Sequence, residues 1–262
     1  MSVETSLHET PKRRRRTVLL LSATVAPPPG VPLLRRTDPD QRLNDYANAL
    51  RFYLTLIGTT FDAIVFAENS SYNLDELKSL AAAAGKLDQV EFLSFAGLDH
   101  PPSYGRGYGE FKLVDYAMEH AAFLQDDVCV WKCTGRYIVT NLAQLAARRP
   151  TVEVYCHLRN IPTKLCDLYL MSFTGRGHAA VIKGAYRHLR NDAVQGTHTG
   201  EEVAFRRLMA KWPESVRVAY RFNCTPLIVG VRGWNNAAYS ERGALKHFLR
   251  RAASVALPWL WI

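Results

Sequence analysis

The chain has 262 residues, 48% hydrophobic and 22% charged, enough for a sizeable buried core and unlike a disordered or coiled-coil protein. A formal net charge of +9 points to anionic partners: nucleotides, nucleic acid or an acidic membrane surface. The five cysteines, at 129, 133, 156, 166 and 224, form no Cys-x-x-Cys pair, so a reducing compartment is the simplest reading.

Residues 1–16 read as a flexible basic arm, with Lys12 to Arg16 as its charged run. The apolar stretch 17–25 then resembles a signal-peptide core, but Glu4 and Glu9 lie in the segment that should be positive, and Ser22 and Thr24 interrupt the run. It is better read as a first buried strand. No run approaches the ~20 apolar residues needed to span a bilayer.

Helical spacing follows over 41–57, where Leu43, Ala47, Leu50, Leu54 and Ile57 recur and Arg42, Asp45 and Arg51 lie off the stripe. A strand is expected at 61–67, then a helix at 74–84 capped by Ser70 or Ser71 and stopped by Gly85. A third strand at 89–95 leads through a loop at 96–109 into a helix at 110–124 and a fourth strand at 128–133. This alternation predicts an α/β fold in one domain, a mostly parallel sheet flanked by helices. The second half is less regular. Strands are expected at 152–155 and 168–173, helices at 178–189 and 201–212, a hairpin from 216–222 and 227–231, and a basic helix at 239–251. Trp259 and Trp261 in the tail suit either a membrane interface or docking on the protein's own core.

Ligands of open α/β sheets sit at the carboxyl ends of strands, so unusual polar residues there are candidates. After the first strand comes Thr24, facing a helix with Arg42 and Tyr46. Glu68, Asn69 and Ser70 follow the second, either to read a nucleobase or ribose or simply to start a helix. Gly105, Arg106, Gly107, Tyr108 and Gly109 follow the third; their exposed amides ahead of a helix N-terminus suit phosphate, without Rossmann or P-loop spacing. Lys132, Thr134, Gly135, Arg136 and Tyr137 close the fourth. Two cations there suit a diphosphate, or else a salt bridge to Asp126 or Asp127.

The ordered set Leu21-Ser-Ala-Thr-Val-x-Pro27, Arg42 with Tyr46, Phe66-Ala-Glu-Asn-Ser70, Tyr104-Gly-Arg-Gly-Tyr-Gly109 and Lys132-Cys-Thr-Gly-Arg-Tyr137 resembles bacterial glycosyltransferases with a GT-A-like nucleotide-diphospho-sugar transferase fold, of the capsule and lipopolysaccharide type. The resemblance covers 17–142 well and the rest loosely. It implies that Thr24, Arg42, Tyr46 and Glu68 to Ser70 line the nucleotide pocket, and that 105–109 and 132–137 face the diphosphate and donor sugar. Residues 17–142 would form the nucleotide-sugar half, and 143–262 the acceptor and catalytic half.

One departure stands out. Such folds place Asp-x-Asp after the fourth strand to hold a divalent metal, whereas this chain has Lys132-Cys-Thr-Gly-Arg136. The expectation is therefore no metal, with Lys132 and Arg136 as fixed cations; Asp167 is the carboxylate to keep as a metal ligand or acceptor contact. Glu201 and Glu202, after the 196–200 Gly-Thr-His-Thr-Gly run, are candidate general bases, although acidic residues in a first helical turn are also ordinary dipole partners. The function implied is sugar transfer from a nucleotide sugar to a glycan or lipid-linked acceptor, in the cytoplasm or peripherally on the inner membrane through the C-terminus. The alternatives are a basic nucleic-acid-binding protein, not favoured because the basic residues outside the arm are dispersed; another nucleotide-using enzyme such as a nucleotidyltransferase, not favoured because the strand ends are short of carboxylates for magnesium; and a catalytically inactive relative that acts as a binding module.

Overall fold

Four apolar runs form the centre of the molecule. In the computed structural model they are β1 (Arg16–Ala23), β2 (Ala63–Glu68), β3 (Val90–Ser94) and β4 (Val128–Thr134), all parallel neighbours. The structure describes residues 15–125, 127–191, 200–233 and 235–236. Most of the basic arm, Asp126, residues 196–199, the expected basic helix at 239–251, and Trp259 and Trp261 lie outside the described residues.

Helices α1 (Pro39–Leu54), α2 (Asp75–Ala83) and α3 (Gly105–His120) make the crossovers, so β1, β2 and β4 are covered on both faces. That is why β2 and β4 read as near-continuous apolar runs without polar alternation. Along β1 the side chains alternate between two cores: Val18 and Leu20 pack with Val65, Phe111 and Phe205, while Leu19 and Leu21 pack with Leu50, Tyr53, Phe66 and Trp131.

Beyond β4 the chain forms β5 (Ile138–Val139), α4 (Leu142–Ala147), β6 (Val154–Arg159), β7 (Leu165–Thr174), the short turn α5 (Gly175–Gly177), α6 (Gly200–Met209), β8 (Val218–Ala219) and β9 (Ile228–Val229). The main sheet has the order β3-β2-β1-β4-β7-β6-β8. It is the expected mostly parallel sheet flanked by helices. Strand β7 is antiparallel to both β4 and β6, so its first residues reach the edge where β1, β2, β4 and β6 end. Among the described residues no helix is long and apolar enough to cross a membrane.

Several expectations need correction. The glycines of 105–109 are not a loop but the first turns of α3, which starts five residues earlier than the apolar spacing indicates. Neither Ser70 nor Ser71 caps α2; Asn73 Oδ1 takes the Asp75 amide at 2.7 Å, because Ser70 is already bound to Glu68. The helix expected at 178–189 is split into a π-turn (His178–Ile182) and a 3₁₀ turn (Ala185–His188) by Gly184, at φ +77°. The late hairpin does not form. β8 extends the main sheet beside β6, and β9 pairs with β5. Those two-residue strands have too little sequence pattern of their own to announce their partners.

Candidate active site

The gathered strand ends open into a cavity of about 600 Å³. Its walls are the turns after β1 and β4, the first turns of α1, α3 and α6, the β6–β7 turn, and the segment around β9. This is the place where an α/β sheet binds ligands, because side chains and helix N-termini there are not consumed by strand pairing.

One wall is a closed hydrogen-bond network. Arg42 donates through Nε to the Thr24 carbonyl (2.7 Å), through Nη1 to the Arg36 carbonyl (2.9 Å) and through Nη2 to the Tyr46 hydroxyl (3.2 Å). The Thr24 amide donates to Tyr46 at 2.9 Å, and the Thr24 hydroxyl to Asn69 Oδ1 at 2.6 Å. Arg42 is 5% exposed and burial lowers its pKa, yet every guanidinium nitrogen has a partner. Thr24, Arg42, Tyr46 and Asn69 line the cavity, and Arg42 and Tyr46 hold its shape.

Glu68 is placed differently. It is fully buried, and its carboxylate accepts from the amides of Val25 (2.9 Å), Ser70 (2.9 Å) and Tyr72 (3.0 Å), and from the Ser70 hydroxyl. Glu68 and Ser70 tie the turns after β1 and β2 together and do not line the cavity.

Lys132 is a second correction to the ligand-facing reading. It is fully buried, donates to the Leu168 carbonyl at 2.6 Å, and pairs with Glu110 Oε1 at 2.7 Å rather than with Asp127. Its ammonium is spent between α3 and β7, beneath the cavity wall, so it is not available to a diphosphate. Gly135 is needed for packing: a Cβ there would stand 2.9 Å from the Ser22 carbonyl. Thr134, Arg136 and Tyr137 do line the cavity. Arg136 is 7% exposed, touches the Val231 carbonyl (3.2 Å) and Asp45 (3.6 Å), and keeps a buried Nε without a partner among the described residues.

The other wall comes from α3 and α6. A Cβ on Gly107 would lie 2.7 Å from the Glu201 side chain, and one on Gly105 2.7 Å from Asn191, so these glycines permit close packing rather than cradling phosphate. Gly105, Arg106, Gly107 and Gly109 still line the cavity, whereas Tyr108 turns outward into a ring cluster with His100 (4.7 Å), Tyr104 (4.9 Å) and Tyr186 (5.0 Å).

Glu201 accepts from the Gly107 amide at 3.4 Å and lies 4.0 Å from Arg106. Burial, and then the charge of Glu201, pushes the Glu202 carboxyl up to about 7, with Arg106 pulling the other way. Its Oε2 is buried with no partner among the described residues. Asp167 lines the cavity in a close pair with Arg159, which keeps its own buried Nε unpartnered. Among the described residues no three His, Cys, Asp or Glu side chains come together to hold a metal ion.

Sequence reading missed Glu110, Arg159, His157 and Arg232, all on the cavity wall. Glu110 was within reach: it stands four residues after Arg106, on the same face of a helix. The others depended on where the β6–β7 turn and the β9 segment fold back.

No family model matches the chain, and no curated protein matches it. Among solved structures it is similar to the glycosyltransferase GlyE of Streptococcus pneumoniae TIGR4, at 8% identity and TM-score 0.49, with 78% of this chain and 45% of GlyE covered. A Desulfovibrio desulfuricans G20 protein named for nucleotide-diphospho-sugar transfer is similar at 13% identity and TM-score 0.45, with 95% and 99% covered. A cytidylyltransferase of Leptospira borgpetersenii is similar at 12% identity and TM-score 0.39, with 79% and 80% covered. The chain spans less than half the length of GlyE. At such identities and TM-scores the likeness carries nothing about chemistry.

Proposed function

We propose that the chain transfers a sugar from a nucleotide sugar to a glycan or lipid-linked acceptor, with Glu202 as the general base. One observation carries this reading. A single cavity at the strand ends holds both a carboxyl poised near neutrality and a buried guanidinium, each keeping one buried atom without a partner among the described residues. Glu202 would take the proton of the acceptor hydroxyl as that oxygen attacks the anomeric carbon. The bond from that carbon to the diphosphate breaks, and the leaving oxygen's charge falls to Arg136. Thr24 and Asn69 would meet the nucleoside, and Arg106 and Asp167 the sugars.

The same proposal uses no divalent metal on the diphosphate. Thr134 and Arg136 occupy the strand end, one of them cationic, and Asp167 is held by Arg159. The reaction is therefore derived through fixed cations alone. A cytoplasmic role in bacterial surface polysaccharide synthesis, with peripheral membrane contact through the C-terminus, belongs to the same proposal.

Thermal stability against a panel of nucleoside diphosphates and nucleotide sugars, with EDTA and with manganese, tests it. A ligand that binds only the folded state raises the melting temperature by mass action. The expected result is a shift with one nucleotide family, equal in EDTA and lost in Arg136→Ala. A shift that needs manganese would overturn the cation reading, and no shift anywhere would overturn the transferase.

A further inference from the structure

Glu110 is a cavity residue that the transfer reaction as described leaves unused. It stands on α3 where the ends of β1 and β4 meet, one turn from Arg106. A single oxygen, Oε1, takes the Ser22 hydroxyl at 2.6 Å, the Thr134 hydroxyl at 2.8 Å and the Lys132 ammonium at 2.7 Å. Burial opposes its charge, but Lys132 and the two hydroxyls outweigh it and hold the carboxyl below its usual value. The side chain keeps 21% exposure, and Oε2 has no partner among the described residues. The result is an ionised carboxylate clamped on one oxygen, with the other unpartnered among the described residues on a side chain that lines the cavity.

We propose that Glu110 reads the transferred sugar, its Oε2 accepting from a hydroxyl or ammonium of the sugar and turning away sugars that carry a carboxylate. The proposal rests on the nucleotide-sugar reading. A carboxylate can only accept, so its free oxygen calls for a donor, which neutral and amino sugars supply and a uronate carboxylate does not. Bringing a second carboxylate to a buried first one adds like-charge repulsion in a poorly screened site. Lys132 offsets that repulsion in part, but its ammonium sits nearest Oε1, so a carboxylate arriving at Oε2 meets the negative end of the ion pair. The position also fits. Thr134 joins Glu110 directly to the turn that carries Arg136, so a sugar on a diphosphate held at Arg136 lies within reach.

The test is calorimetric titration of the full chain with matched ligands: UDP, UDP-glucose and UDP-glucuronate; GDP, GDP-mannose and GDP-mannuronate. The wild type is expected to prefer the neutral sugar of the bound family over its uronate by about tenfold or more, the size of effect a buried polar mismatch produces. Glu110→Gln is expected to shrink that preference to about threefold or less while binding of the bare diphosphate stays within about threefold. Because Glu110→Gln alone strands a buried ammonium, Glu110→Gln/Lys132→Met is titrated beside it. Equal wild-type affinity for neutral and acidic sugars, or a preference that survives in the variants, overturns the proposal and leaves the transferase reading standing. If no nucleoside diphosphate of the thermal panel binds, the nucleotide-sugar reading fails first and takes this inference with it.

Discussion

The two walls of the cavity differ in how far their polar groups are satisfied. On the β1–β2 side, Arg42 and Tyr46, with Glu68 and Ser70 behind the wall, spend their hydrogen bonds on one another and on turn backbone. On the α3–α6 side and at the β4 and β6 ends, Arg106, Arg136, Arg159 and Glu202 each keep a buried atom without a partner among the described residues. A buried polar group left unbonded costs about 1–3 kcal/mol. Unsatisfied groups gathered on one cavity are therefore where a ligand is expected, and satisfied ones are scaffold, even when their side chains look equally chemical.

The sharpest way to break this comparison is at Glu202. Glu202→Gln should lower transfer by about 10²–10⁴-fold, the usual worth of a general base, while nucleotide-sugar affinity is kept. In the wild type, the rate should rise with pH through about 7. The stability consequence has the opposite sign. A carboxyl whose folded pKa is raised loses stability as pH climbs from its unfolded value, near 4.5, through about 7. Glu202→Gln should therefore stabilise the fold at pH 8, by roughly 1–3 kcal/mol, with no gain at pH 4, as read by urea unfolding.

Arg136→Ala should cost about 10²–10³-fold in turnover, with Arg136→Lys recovering part of it. At positions whose side chain or packing is already satisfied, the expected loss is of stability. Lys132→Ala leaves Glu110 as a buried carboxylate without its counter-ion and should cost on the order of 3–5 kcal/mol, seen in the unfolding midpoint. Gly107→Ala sets a methyl against Glu201 and should cost about 1–3 kcal/mol while shifting the pH profile of transfer, because Glu201 adjoins the base. Tyr108→Ala should have the smallest effect on turnover, since its ring lies outside the cavity in a surface cluster. If it instead lowered turnover as much as Arg136→Ala, the division between the walls would be misplaced.

Much of this molecule was legible from residue order. Local hydrophobic runs separated by helical spacing announce β1, α1, β2, α2, β3 and β4, because a strand buried on both faces must be apolar throughout. The rule that ligands gather at strand ends singled out Thr24, Asn69 and Arg136, the search for a general base singled out Glu201 and Glu202, and all five line one cavity from positions far apart in the chain. It also over-reached. Glu68, Ser70, Tyr108, Lys132 and Gly135 have the right residue types at the right strand ends, but do not line the cavity.

The chain's local pattern thus determined the parallel half of the sheet and the edge at which chemistry would sit. Tertiary structure alone decided which polar residues are spent. Whether Lys132 meets a phosphate or Glu110 depends on a helix 22 residues away in sequence, and whether the glycines of 105–109 form a phosphate loop or a packing face depends on α6, over 90 residues on. Helix contacts set those outcomes, and they act through space rather than along the chain.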